Sequence, residues 1–99
     1  MIGTSVQILG TGATVVSSGV AQTLVLPNDN SGVNKARFVR LQANGFMYIR
    51  VGNSAVTVTT NDMMISANEA VWLNVTGCTN LAYLQETAGA KLSIAPVES

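Results

Sequence analysis

Residues 36–51 read Ala-Arg-Phe-Val-Arg-Leu-Gln-Ala-Asn-Gly-Phe-Met-Tyr-Ile-Arg-Val, two strand-like runs on either side of Asn44-Gly45. Asn and Gly tolerate the positive φ values of a type I′ turn, so the stretch predicts a two-residue β-hairpin. In that register Arg37 and Arg50 lie diagonally adjacent on one face, and both faces mix apolar with polar side chains. A hairpin with one solvated face alternates more cleanly, so we expect both faces to be covered.

The composition favours one small, β-structured domain that associates. Of the 99 residues 47% are apolar and 10% are charged, and the net charge is zero, whereas a soluble domain usually has roughly 25% charged residues. Valine and threonine supply 23 residues, which favours strands over helices. Because little charge repulsion keeps monomers apart, we expect a homo-oligomer, with a trimer favoured.

Short β-prone runs separated by turn residues continue along the chain. They predict about seven to nine short strands in an all-β fold, a single small antiparallel β-sandwich or jelly-roll-like barrel. Residues 1–34 are expected to form an irregular N-terminal arm with short strands, and residues 35–99 the β-sandwich core of the same domain. A second hairpin is predicted around Ala88-Gly89, in which Glu86 faces Lys91 and Tyr83 faces Ile94.

Residues that carry enzyme chemistry are scarce and dispersed. The chain has no histidine, so a Cys–His pair cannot form, and its single cysteine, Cys78, can make no internal disulfide. The acidic residues lie mainly at predicted turns and are Asp29, Asp62, Glu69, Glu86 and Glu98. We therefore predict no enzyme activity, no metal site and no cofactor.

Two further classes of partner are not indicated. Neither a signal peptide nor a run of 18 apolar residues is present in the sequence, so we expect no membrane segment and synthesis in the cytoplasm. Five basic residues are balanced by five acidic ones, which argues against nucleic-acid binding.

Arginine and aromatic residues of the central stretch, with one tryptophan beyond it, suggest a protein interface. Arginine is enriched at interfaces beside tyrosine, tryptophan and methionine. The interface candidates are Arg37, Arg40, Phe46, Tyr48, Arg50 and Trp72. The same residues also suit a solvated surface with ordinary core aromatics. In a third interpretation the three aromatic rings form a stacking platform for a sugar, as in a carbohydrate-binding module.

Four segments between Arg37 and Val97 carry a resemblance to a known class of proteins. They read Arg-Phe-Val-Arg-Leu, Phe-Met-Tyr-Ile-Arg-Val-Gly-Asn, Asp-Met-Met-Ile-Ser-Ala-Asn-Glu-Ala-Val-Trp-Leu and Leu-Ala-Tyr-Leu-Gln-Glu. This pattern resembles small β-structured virion proteins of tailed bacteriophages, and it is most similar to capsid decoration, or cement, proteins. Such proteins add to an assembled head, often as trimers or dimers, and stabilise it.

The resemblance implies a structural subunit on the capsid surface of a virion, made in the host cytoplasm, with the major capsid protein as its partner. It implies no residue roles. A tail, connector or fibre-base component of a virion is an alternative, as is the carbohydrate-binding module. If the N-terminal segment is an arm that orders on docking, four apolar residues are expected to gain contacts in the assembly, namely Ile2, Val6, Ile8 and Leu9.

Overall fold

The chain folds into two antiparallel β-sheets, and the computed structural model describes residues 12–28 and 34–97. The strands are β1 (Ala13–Val16), β2 (Gln22–Val25), β3 (Phe38–Ala43), β4 (Met47–Gly52), β5 (Met63–Ile65), β6 (Ala70–Asn74), β7 (Asn80–Gln85) and β8 (Lys91–Val97). Sheet A has the order β1-β8-β3-β6, and sheet B has the order β2-β7-β4-β5. The predicted all-β sandwich is confirmed, and the described residues contain no helix that could cross a membrane.

The core lies between the inner faces of the two sheets. Both central strands of sheet A alternate: Val39 and Leu41 of β3 are buried, as are Leu92 and Ile94 of β8. Sheet B contributes a second set of apolar side chains, which includes Met47, Ile49, Ile65, Leu81 and Tyr83. Because successive side chains of a strand point to opposite faces, the residues between these positions form the outer faces of the sandwich.

The predicted hairpin at Asn44-Gly45 is wrong, because β3 lies in sheet A and β4 lies in sheet B. Neither Asn44 nor Gly45 has a positive φ, so the link between the strands is not a type I′ turn. Three residues, 44–46, cross from one sheet to the other, which lets Ala43 and Met47 both point into the core. The expected hairpin with two mixed faces therefore does not form. The reason to expect that both of its faces are covered no longer applies.

The second predicted hairpin is wrong for the same reason, since β7 belongs to sheet B and β8 to sheet A. Tyr83 lies opposite Ile49 of β4 instead of Ile94. The predicted ion pair between Glu86 and Lys91 does not form, because the Glu86 carboxylate accepts a hydrogen bond from Tyr48. Strands adjacent in sequence are thus separated here so that each can bury its own apolar face.

The two crossings between the sheets lie side by side and hydrogen-bond to each other. The backbone N–H groups of Glu86 and Thr87 both donate to the carbonyl oxygen of Phe46, at 2.9 and 3.0 Å, and the N–H of Phe46 donates to Thr87 Oγ1 at 3.0 Å. Gly45 is buried at this junction; a Cβ atom there would lie 2.8 Å from Thr87 Cβ and 2.9 Å from Ala90 Cβ. Glycine is required here by close packing and not by its backbone conformation.

Within residues 1–34, the described stretch 12–28 contributes two strands to the sandwich. β1 is an edge strand of sheet A, paired with β8, and β2 is an edge strand of sheet B, paired with β7. The four apolar residues expected to gain contacts on docking lie outside the described residues: Ile2, Val6, Ile8 and Leu9.

Candidate functional site

The six interface candidates are distributed over opposite sides of the sandwich. Arg40 and Trp72 lie on the outer face of sheet A, in directly opposed positions of β3 and β6. Phe46, Tyr48 and Arg50 lie at alternate positions in and just before β4, on the outer face of sheet B.

Arg37 precedes β3 and is exposed, and its carbonyl oxygen accepts a hydrogen bond from the N–H of Val75. The predicted adjacency of Arg37 and Arg50 on one face is therefore wrong. Arg37 flanks a strand of sheet A, whereas Arg50 belongs to sheet B. The candidates do not form a single surface.

On sheet A, the guanidinium group of Arg40 is held in place by two neighbours. Its Cζ atom lies 5.6 Å from the centroid of the Trp72 ring, a distance at which a cation is attracted to the face of an aromatic ring. Arg40 Nη2 also donates a hydrogen bond to Gln42 Oε1 at 2.7 Å. Trp72 itself stays 54% exposed. The guanidinium group of Arg40 is thus already fixed near the surface before a ligand binds.

Beside this cluster, the outer face of sheet A has an open depression of about 200 Å³. Ala43 and seven residues with polar or charged side chains, from three strands and two loops, line it: Thr14, Arg40, Gln42, Asn44, Asn68, Lys91 and Ser93. We call this the sheet A depression. Ser93 forms its middle, because it lies opposite Thr14 of β1 on one side and Gln42 of β3 on the other.

Asn68 at the rim of the depression has a left-handed backbone, with φ of 62°. Its N–H donates to the carbonyl oxygen of Ala43 at 2.7 Å, and Ala67 forms a parallel bridge with the same residue. Asparagine adopts this conformation more readily than other residues with a side chain. These contacts fix the loop between β5 and β6 against the end of β3.

On sheet B, the outer face exposes apolar side chains. Phe46 is 41% and Met64 48% exposed, and Met64 of β5 lies directly opposite the half-buried Tyr48 of β4. We call these three residues the sheet B patch. Its apolar character suits contact with another protein surface better than contact with water.

The charged groups beside the sheet B patch have partners within the chain. Tyr48 Oη donates to Glu86 Oε1 at 2.8 Å, and this hydrogen bond to the carboxylate raises the pKa of Tyr48 above its usual value of 10.0. Arg50 Nη1 lies 3.9 Å from Asp62 Oδ1. An exposed pair at this distance contributes little stability.

The described residues offer no arrangement suited to catalysis or to metal binding. No group of three or more His, Cys, Asp or Glu side chains in residues 12–28 and 34–97 is placed to hold a metal ion. Cys78 is half-buried against the core. A second open depression, of about 320 Å³, lies beside Arg50 and the loop that follows β4, but the carboxylate of Asp62 already faces that arginine.

The sheet A depression was not predicted from the sequence, apart from Arg40. Asn44 was interpreted as a turn residue, and Lys91 as the partner of Glu86. The polar residues at alternate positions of β3 and β8 form one surface only when those two strands are adjacent. Their alternation is visible in the sequence, but the pairing of two strands so far apart in the chain is not.

Comparisons with known proteins identify no family for this chain. No protein-family model, no curated protein and no solved structure matches it. The two outer faces are therefore interpreted from their own geometry.

Proposed function

We propose that this chain is a structural virion protein, a capsid decoration or cement subunit that binds the assembled phage head and stabilises it. Its partner is the major capsid protein, its place is the capsid surface, and it acts by association alone. The resemblance of Arg37–Val97 to such proteins supports the class. The β-sandwich, the low charge and the exposed sheet B patch support the mode of action.

The observation that carries the proposal is the contrast within sheet B between exposed apolar groups and internally paired charges. Phe46 and Met64 are available for contact, while Arg50 and Tyr48 have carboxylate partners in the same chain. Fully buried parts of protein interfaces are apolar and poor in charged residues, with a polar rim around them. The sheet B patch with its surroundings has this composition.

A decoration subunit profits from repetition on the shell. A specific interface of standard size buries about 1,600 Å² in total, and each of the many copies stabilises its own site. If the protein is an oligomer, as the low charge suggests, or the favoured trimer, several contacts form at once, and avidity strengthens attachment beyond the affinity of one contact. Light-scattering mass in solution tests the oligomer, and a monomer at micromolar concentration would contradict it.

Binding of the purified protein to expanded, undecorated heads is the experiment that tests the function. We expect co-sedimentation of the intact protein with heads. Phe46→Ser and Met64→Ser should each weaken binding about tenfold or more, as truncations of buried interface residues do. Val16→Ser is the matched control, because Val16 is exposed to a similar degree but belongs to sheet A.

Two outcomes would change the proposal. Absence of binding by the intact protein would remove the decoration function, and binding to isolated tails instead of heads would favour a tail, connector or fibre-base component. Equal losses from Val16→Ser and Phe46→Ser would show that attachment does not use the sheet B patch.

A separate deletion tests the N-terminal arm. Removal of residues 2–12 should leave the β-sandwich folded, as judged by circular dichroism, and weaken attachment to heads. The physical reason is that an arm ordered only on docking adds contacts in the assembly and none in the free protein. Equal binding by the intact and shortened proteins would show that the segment has no part in attachment.

A small carbohydrate-binding module is the second candidate function. The observation that favours it is the exposed ring of Trp72 next to the polar sheet A depression. The three-ring platform expected from the sequence is not formed, because Phe46 and Tyr48 belong to the opposite side of the sandwich. Binding of the protein to a glycan array, with no binding to heads, would make this function the leading one.

A further inference from the structure

We propose that the sheet A depression binds a carboxylated sugar, such as a uronic acid residue of an acidic polysaccharide. Arg40 and Lys91 are the two groups that pair with the carboxylate and with the charge of an adjacent residue. This inference deepens the second candidate function by naming the site and the class of sugar. It is independent of capsid attachment, which we assign to the sheet B patch.

The sheet A depression carries positive charge that no carboxylate in its lining balances. Two cationic side chains line the depression, and its lining contains no carboxylate. Within the part of the chain that the structure describes, the ion pair formed is that of Arg50 with Asp62 on the other sheet. Arg40 is instead fixed by Trp72 and Gln42, which are both neutral. An anionic ligand would supply the negative charge that the lining of the depression lacks.

The neutral side chains of the lining offer hydrogen-bond donors to a ligand. Gln42 uses its side-chain oxygen to accept from Arg40, and Asn44 uses its own to accept from the backbone N–H of Lys91 at 2.7 Å. Each amide therefore keeps its NH₂ group as a donor. The hydroxyl groups of Thr14 and Ser93 add groups that can donate or accept hydrogen bonds. Carboxylate, hydroxyl and ring oxygens of a uronic acid match this set.

The size and shape of the sheet A depression suit a sugar. A volume of about 200 Å³ is below the range of roughly 300–1,000 Å³ of pockets for drug-sized ligands, so one sugar ring fits better than a large cofactor. Arg40 lies opposite Ala95 of β8, four positions from Lys91, or about 13 Å along the strand. Cations at the two ends suit a chain of acidic sugars that lies along β8, with Ser93 beneath it.

Calorimetric titration of the intact protein with trigalacturonic acid tests the proposal. The neutral probe is a galactose trisaccharide, and a hexaglutamate peptide serves as a carboxylate probe without a sugar. We expect trigalacturonic acid to bind at least tenfold more tightly than either, with affinity that falls as salt rises. Arg40→Gln and Lys91→Gln should each reduce this affinity about tenfold.

Arg50→Gln is the matched control, because it removes the same charge from the opposite side of the sandwich. It should leave the affinity unchanged. Lys91 is exposed, so Lys91→Gln should fold normally even if Arg40→Gln does not, and thermal melts of all three variants check this.

Each other outcome overturns the inference in a distinguishable way. Equal affinity for the neutral trisaccharide would leave a carbohydrate-binding module without the acidic specificity. Equal or tighter binding of hexaglutamate would mean that the site recognises carboxylates of proteins. An equal loss from Arg50→Gln would reveal non-specific attraction. If none of the probes binds, both the site and the carbohydrate function fall, while head binding through the sheet B patch is unaffected.

Discussion

The two outer faces of the sandwich differ in how their charges and apolar groups are arranged. On sheet A, Arg40 and Lys91 have no carboxylate partner among the described residues, and they surround a polar depression. On sheet B, Arg50 has Asp62 beside it, and the apolar side chains of Phe46 and Met64 are exposed. One small domain thus carries one face suited to a polar, anionic ligand and another suited to apolar contact.

The difference shows that low total charge does not make a surface uniform. The net charge of zero conceals a local excess of positive charge on sheet A and local pairing on sheet B. An argument from composition alone would give both faces the same partner. The position of each charge relative to its neighbours distinguishes the two faces, and this distinction can be tested by substitution.

The largest expected effect concerns which side chains point inwards, since the definition of both outer faces depends on it. Leu92 is fully buried between the sheets, so Leu92→Ala should reduce the free energy of unfolding by about 2–5 kcal/mol through lost burial and a cavity. Its neighbour Ser93 points outwards, and Ser93→Ala should change stability by less than about 0.5 kcal/mol. Urea melts of both variants measure the contrast. A loss below about 1 kcal/mol for Leu92→Ala would mean that the faces are reversed.

The next prediction tests the crossing that places β3 and β4 on different faces. Gly45→Val should destabilise the protein by about 1–3 kcal/mol, because its side chain would overlap Thr87 and Ala90 of the second crossing. A Cβ atom at Gly19 would make only an ordinary contact, 3.9 Å from Gln85 Nε2, so Gly19→Ala is the control and should be close to neutral. Thermal melts decide; an unchanged melting temperature for Gly45→Val would contradict the close packing of the crossings.

A third and smaller effect compares the arginines of the two faces. A double-mutant cycle with Arg40→Gln and Trp72→Leu should give a coupling energy of about 0.5–1 kcal/mol from the cation–π contact. The corresponding cycle for Arg50 and Asp62, which are 3.9 Å apart and largely exposed on the arginine side, should give a coupling near zero. Equal couplings would show that Arg40 is no better fixed than Arg50.

The smallest expected effect is a dependence of stability on alkaline pH that belongs to sheet B. Both tyrosines of the chain lie there. Their pKa values are raised above 10.0, that of Tyr48 mainly by its hydrogen bond to Glu86 and that of Tyr83 by burial. The unfolded chain therefore loses these protons first as pH rises above about 10. Stability is fully present below that pH and decreases as pH rises through the folded values.

Tyr48→Phe and Tyr83→Phe should each flatten the alkaline part of this curve. Denaturant melts between about pH 8 and 11, a range around the usual tyrosine pKa of roughly 10, measure the stability of each variant. Tyrosinate absorbance follows the titration of the tyrosines. A curve that is unchanged in both variants would contradict the assignment to sheet B.

Local sequence signals predicted the strands but not their partners. The β-prone runs on either side of Asn44-Gly45 and Ala88-Gly89 coincide with β3, β4, β7 and β8, and the eight strands of the described residues fall within the predicted range. The two hairpins failed because turn chemistry at Asn44-Gly45 and Ala88-Gly89 was given more weight than burial. Each following strand lies in the other sheet, where its apolar side chains face the shared core.

The candidate surfaces were predictable only in part, for a related reason. Trp72 and Phe46, two of the six interface candidates, are exposed, and their part in an interface stays a prediction. That they lie on different sheets depends on the strand order. The sheet A depression combines residues from β1, β3 and β8, and no short window of sequence contains more than a few of them.

The position of β8 also has a consequence for how the chain reaches its fold. β8 lies between β1 and β3 in sheet A, and the hydroxyl of Ser17 binds the carbonyl oxygen of Ala90, 73 positions away. A nascent chain that has not yet released β8 from the ribosome cannot assemble sheet A. Large loops must close before burial rewards them, which places folding in the range of milliseconds to seconds. Until then the edge of β3 that pairs with β8 is open, and a second nascent chain could join it.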